Sequence, residues 1–240
     1  MKLNIAWAGL ADLSYWNHIA KYCVPSWKDL PGDKFLICDS KDILVPTVSV
    51  IQWDNVVNLT SKFPSTYSQG RKQTNFWRKM QSQVWAIKNL KQYDWLVLLD
   101  TDIEVCDLKL EILHDTLIVL QNKNLLWATG ESNDGFLDAG IIIINCKHPE
   151  IDNFVKIYED YWETGKIKLL EHGYDGDVVV EMLKLYESVK IKNFNHGQGM
   201  HSYNIGLFHW GSKESKPIRQ NIDDSLGYIK NKIDNIKLII

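Results

Sequence analysis

Residues 95–99, Trp-Leu-Val-Leu-Leu, run apolar without a break and stop on Asp100-Thr101-Asp102. No other stretch limits the possible folds so much. Five apolar residues without alternation suit a strand buried on both faces, which belongs in the centre of a sheet covered by helices on both sides. Open sheets of that kind gather ligands at the carboxyl ends of their strands, and Asp100 and Asp102 stand at such an end. In extended backbone, residues i and i+2 point the same way, so both carboxylates face one ligand. Left alone they repel and raise one another's pKa. Carboxylate oxygens favour a hard divalent cation, Mg²⁺ or Mn²⁺, whose shell water and phosphate complete. An acidic turn or an Asp helix cap accounts for the same pair without any chemistry, so D-x-D alone does not decide.

The rest of the chain reads as strands alternating with helices. Leu3–Gly9, the segment KFLICDS ending on Asp39, TVSVIQWD, NLLWATG, GFLDAGIIIIN and NIGLFHWG have strand character. Trp77, Met80, Val84 and Ile87 share one helical face, as do Phe154, Ile157, Tyr158, Tyr161 and Trp162. Asp175 or Asp177 caps a further helix carrying Val179, Met182, Leu183 and Tyr186, and Trp16, Ile19 and Cys23 fall near helical spacing. With no repeat and no Pro/Gly-rich linker, the pattern predicts a single α/β domain over residues 1–240. Its central sheet is expected to be mostly parallel and flanked by helices.

Charge points to no particular partner. With 27 basic and 30 acidic residues the net charge is −3, so no strong field points to nucleic acid or an anionic membrane. Residues 1–16 lack a signal-peptide-like apolar stretch, and no run approaches the roughly 18–20 apolar residues of a membrane helix. A soluble, cytoplasmic protein is expected. Cys23, Cys38, Cys106 and Cys146 are far apart and lack C-x-x-C spacing, which reads as buried free thiols in a reducing compartment. Ten tryptophans mostly supply core, though aromatic rings also stack on sugars and bases.

Five ordered blocks carry a family resemblance: FWRKMQSQVWAI, WLVLLDTDIEVCDL, FLDAGIIIIN, HGYDGDVVVEML and FHWGSKESKP. Together they resemble glycosyltransferases of the GT-A fold, most closely the retaining type grouped as family 8 (glycogenin-like and bacterial galactosyltransferase-like enzymes). The resemblance implies a single Rossmann-like GT-A domain, with a nucleotide-binding half over 1–105 and an acceptor-side half over 106–240. It implies Asp100 and Asp102 as metal ligands within the Asp100-Thr101-Asp102 donor contact, His209 as third ligand, Arg78 against the donor, and Lys213 or Lys216 on the diphosphate. Asp138 stands where the family has Asn, and Gly176 where it has Gln. Gly211 and Lys216-Pro217 are each displaced by one residue, and no Trp follows. Asp138 and Asp175 are the carboxylates expected near the anomeric carbon. The implied reaction moves a sugar, with retention, from a nucleoside-diphosphate sugar such as UDP-sugar to a hydroxyl acceptor, with Mn²⁺ or Mg²⁺ as Lewis acid. The acceptor classes are carbohydrate, protein or a modified base in DNA.

Plainer readings stand beside these. Trp7 either stacks on the base or packs in the core. Asp12 and Asp39 either contact base and ribose or cap loops. Arg71-Lys72 and Arg78-Lys79 also read as the solvated side of a helix start, and His172, His196 and His201 as polar loop. Residues 228–240 read as a docked terminal helix. A phosphatase of the haloacid dehalogenase type also ends a strand on D-x-D, with Asp223-Asp224 as a later acidic pair. That family wants Thr or Val where Glu104 stands, and its motif opens the domain. A catalytically degenerate sugar- or nucleotide-binding protein is the third reading.

Overall fold

A computed structural model describes residues 4–53, 71–132, 135, 137–170, 175–196, 200–211 and 219, with backbone alone at 71–75, 132 and 195. Lys213, Lys216, His172, Asp223, Asp224 and the expected terminal helix lie outside the described residues, as do the side chains of Arg71 and Lys72. Among the described residues ten strands form one sheet: β1 (Ile5–Ala11), β2 (Asp33–Cys38), β3 (Ser49–Gln52), β4 (Trp95–Leu99), β5 (Ile103–Val105), β6 (Trp127–Ser132), β7 (Leu137–Asn145), β8 (Ser188–Asn195), β9 (His201–Tyr203) and β10 (Leu207–His209). Their order is β3-β2-β1-β4-β7-β6-β8-β9-β10-β5.

β4 is central, as its unbroken apolar run requires. It pairs parallel with β1 and antiparallel with β7, and all five of its residues are buried. Leu96 and Leu98 point into one core with the helices α1 (Arg71–Asn89), α3 (Ile151–Glu163) and α4 (Asp175–Leu185). Trp95, Val97 and Leu99 point into the other, with Val24 and Trp27 of the helical segment 13–29 and with Leu113, Leu117 and Leu120 of α2 (Leu110–Asn122). Trp77, Met80, Val84 and Ile87 face the first core, as their spacing predicts.

The sheet is mixed, which corrects the expectation of a mostly parallel one. β1 to β4 run parallel, but β7 lies antiparallel to both β4 and β6. Residues 133–136 alone separate β6 from β7, whereas a parallel return needs a dozen or more. β5, β8, β9 and α2 add elements that the apolar patterns did not mark; β5 and β9, at three residues each, leave no readable period. Three cysteines are buried as expected and free, but Cys106 is exposed. Among the described residues no helix is long and apolar enough to cross a membrane.

Ile143 sits wholly buried on β7 between β4 and β6. Ile143→Val removes one methyl group there and should cost about 0.5–1.5 kcal/mol, read as a small fall in the denaturant midpoint at unchanged slope.

Candidate functional site

β4 delivers its two carboxylates through a turn. The Ile103 N–H donates to the Asp100 carbonyl at 3.0 Å, so Asp100–Ile103 closes a turn instead of continuing in extended backbone as the i, i+2 reading supposed. The Thr101 hydroxyl anchors the turn on the Leu10 carbonyl at 2.7 Å, and the Asp100 N–H donates to the Gly140 carbonyl at 2.9 Å. The carboxylates still converge, because a strand from the far end of the chain meets them. β10 pairs antiparallel with β5 in a register that sets His209 opposite Ile103, the residue after Asp102. His209 Nε2 then lies 3.1 Å from Asp102 Oδ1 and 3.8 Å from Asp100 Oδ2.

Each of these three side chains offers one atom to the common centre and has its other atom held by the protein. Lys79 Nζ lies 2.5 Å from Asp100 Oδ1. The Tyr15 hydroxyl donates to Asp102 Oδ2 at 2.6 Å. Asp138 Oδ2 faces His209 Nδ1 at 3.4 Å. Tyr15 is itself aimed from below: Asp12 Oδ1 accepts the Tyr15 backbone N–H at 2.6 Å, capping the short helical turn Leu13–Tyr15. Asp12 therefore caps, as the plainer reading supposed.

Asp138 is held by the protein on both oxygens. Its Oδ2 also accepts from Asn193 Nδ2 at 2.9 Å and from the Tyr203 hydroxyl at 2.5 Å, while Oδ1 accepts the Gly140 N–H at 2.8 Å. Buried and enclosed by four donors, it stands behind His209. Burial alone would raise its pKa, but His209, Tyr203 and the Gly140 N–H hold it well below the usual carboxylate range. His209 answers in kind: burial opposes its charge, yet Asp102 and Asp138 hold its pKa well above the ordinary imidazole value. Asp100 is pushed up to about 6, by burial first and by Asp102 as well, with Lys79 pulling the other way.

Asp175 opens α4, and its Oδ2 lies 2.5 Å from the same Lys79 ammonium. Arg78 lines a cavity beside Asp100 and Thr101, with Nη1 3.7 Å from Asp12 Oδ2 and its guanidinium 6.0 Å from the Trp53 ring. Two expected donor contacts are not brought to this cavity. Trp7 is wholly buried on the opposite face of β1 and gives its indole N–H to the Pro31 carbonyl, which settles it as core. Asp39 is exposed and accepts the Leu13 N–H at 2.7 Å, the loop-capping alternative. Tyr15 and Lys79 were not singled out from sequence as parts of a metal site. Lys79 is next to Arg78 in FWRKMQ, and nothing local distinguishes it from a solvated lysine.

The donor set fits a divalent cation. Asp100, Asp102 and His209 each offer one atom, all within 4.8 Å of one another. Neighbouring ligands of an ion held at about 2.1 Å stand about 3 Å apart, close to the 3.1 Å between His209 Nε2 and Asp102 Oδ1. The two carboxylates suit Mn²⁺ or Mg²⁺, and the imidazole favours the transition metal of the two. Charge agrees: among the described residues Lys79 and His209 face Asp100, Asp102, Asp138 and Asp175, and clustered carboxylates in low dielectric need compensating positive charge.

No protein-family model matches the chain, and no curated protein matches it. Among solved structures it is similar to the apo form of the bifunctional glycosyltransferase WbbM, with TM-score 0.48, 16% identity, and coverage of 79% of this chain but 38% of that one. It is similar to the galactosyltransferase LgtC in complex with donor and acceptor sugar analogues at TM-score 0.43 and 12% identity, over 80% of this chain and 74% of that one. Mouse xyloside xylosyltransferase 1 in its apo form gives TM-score 0.47 and 9% identity over 78% and 83% of the two chains. Likeness at this distance adds no weight to a functional argument, which rests on the site's own geometry.

Proposed function

We propose that the chain is a glycosyltransferase that takes its sugar from a nucleoside-diphosphate sugar, UDP-sugar foremost, and transfers it with retention to a hydroxyl acceptor. Mn²⁺ or Mg²⁺ would be held by Asp100, Asp102 and His209. The observation that carries this reading is the outer ring of Lys79, Tyr15 and Asp138, which fixes one atom of each ligand and leaves the other turned to a shared point. Such outer partners orient metal ligands and set their basicity. A purely structural acidic turn has no use for three of them.

A divalent cation held by these three residues would supply Lewis-acid neutralisation of a diphosphate leaving group. The chain's own residues do the rest. Arg78, on the cavity wall, is suited to bind phosphate oxygens through two parallel bonds, and Lys213 and Lys216 are proposed to supply mobile charge to the same group. Asp175 is the carboxylate proposed to face the anomeric carbon or to take the acceptor's proton. Asp138 is proposed to hold the His209 ring in place. No contact among the described residues favours the phosphatase or the non-catalytic binder.

A thermal-shift series with UDP-, GDP-, ADP- and CMP-sugars, each with Mn²⁺ and with EDTA, tests the reading. A UDP-sugar with Mn²⁺ at 100 times its dissociation constant should add about 2.7 kcal/mol, a rise of roughly 5–11 °C for a chain of this size, abolished by EDTA. No metal-dependent shift with any donor would overturn it.

A further inference from the structure

Lys79 is the one lysine among the described residues that touches two carboxylates of the site. It rises from the face of α1 that also sends Phe76, Ser82 and Gln83 to the cavity, and its side chain is 16% exposed. An ammonium has three donors, and all three are used: Asp100 Oδ1 at 2.5 Å, Asp175 Oδ2 at 2.5 Å and the Ala139 carbonyl at 3.3 Å. The acceptors come from the end of β4, the first turn of α4 and the start of β7, so one side chain cross-links three elements around the site. Asp175 has its other oxygen on the Gly176 N–H at 3.0 Å, leaving the carboxylate with a fixed direction.

From this geometry we infer that Lys79 is a positioning residue, which ties Asp175 to the metal-binding carboxylate Asp100 and whose charge limits how tightly the site holds its cation. The inference rests on the metal site proposed above. Two consequences pull in opposite directions, which separates it from a merely structural role. A permanent positive charge bonded to a ligand oxygen repels an incoming cation, and unit charges a few ångströms apart in a protein interior interact by several kcal/mol even at an effective dielectric near 20. Removing it should tighten cation binding. Removing it should also free Asp175, and a small misplacement of a reacting group is costly in turnover.

The test uses the full chain with Lys79→Met, Lys79→Arg, Asp175→Asn and the Lys79→Met/Asp175→Asn double variant. Mn²⁺ affinity is read at pH 8 by calorimetry, turnover by release of nucleoside diphosphate from the donor sugar, and folding by circular dichroism. Lys79→Met should bind Mn²⁺ about tenfold more tightly while losing about tenfold or more in kcat. Lys79→Arg, which keeps the charge, should bind Mn²⁺ like the wild type. In the double variant the kcat losses should not add, because both changes disable one unit. Folded Lys79→Met with unchanged or weaker Mn²⁺ affinity would overturn the role of its charge, and additive kcat losses would overturn its action through Asp175. Should Lys79→Met fail to fold, Lys79→Arg binding Mn²⁺ unlike the wild type would overturn the inference by itself. Absence of Mn²⁺ binding in the wild type would instead remove the metal site and this inference with it.

Discussion

Asp102→Asn should lower turnover of the donor sugar by about 10²–10³-fold, the loss of about 2.7–4 kcal/mol that accompanies removal of one electrostatic partner at a reacting group. The fold should survive. Asp102 is 2% exposed, and asparagine has its shape, so the amide oxygen still accepts the Tyr15 hydroxyl, which lies 2.6 Å from Oδ2 in the wild type. The turn beneath it is backbone and does not depend on the side chain: Trp210 N–H donates to the Asp102 carbonyl at 3.1 Å, and Ile103 N–H to that of Asp100. What disappears is one anionic ligand at 3.1 Å from His209 Nε2. The melting temperature of Asp102→Asn should therefore stay near that of the metal-free wild type, yet no longer rise when Mn²⁺ and donor are added. A variant that unfolds, or one that turns over normally, would show the pair to be an acidic turn and nothing more.

The centre of this site was legible because it is local. An apolar run that ends on two carboxylates reports both a buried strand and what stands at its mouth, and the structure buries Trp95–Leu99 as read. His209 could be drawn in only through the resemblance, since its meeting with Asp102 depends on the pairing of β10 with β5 across the chain. Two members of the outer ring, Tyr15 and Lys79, left no sign of their roles. Tyr15 reaches Asp102 across 87 positions and Lys79 reaches Asp175 across 96, and neither contact leaves a period, a spacing or a motif. Asp138 was singled out through the resemblance, and its contacts with Asn193, Tyr203 and His209 come from far along the chain and leave no local sign. The sheet misled for a similar reason. Alternating strands and helices suggest parallel pairing, and only the short link between β6 and β7 argues otherwise.

Gly140→Ala disturbs the packing around His209 without substituting any of the three ligands. Gly140 lies on β7 beside Asp138, and a methyl group there would stand 2.8 Å from the Tyr203 hydroxyl, 2.9 Å from His209 Cε1 and 3.0 Å from Asp138 Oδ1. All three neighbours are buried, so none can swing into solvent. Overpacking of a closed core costs about 1–3 kcal/mol, and the strain falls on the ring that must face Asp100 and Asp102. Disturbed outer partners typically weaken metal binding by about 10–100-fold. Gly140→Ala should accordingly show both a lower melting temperature and a Mn²⁺ dissociation constant raised by that factor, with Asp100, Asp102 and His209 all present. Gly176→Ala is the control: its methyl would meet nothing within 4 Å, and it lies in the first turn of α4. Alanine there should be neutral or add a few tenths of a kcal/mol, since glycine costs roughly 0.5–1 kcal/mol in a helix interior and less near its end. Loss of stability in Gly140→Ala with Mn²⁺ affinity intact would mean that the cation does not depend on His209, and the three-ligand site would have to be redrawn around Asp100 and Asp102 alone.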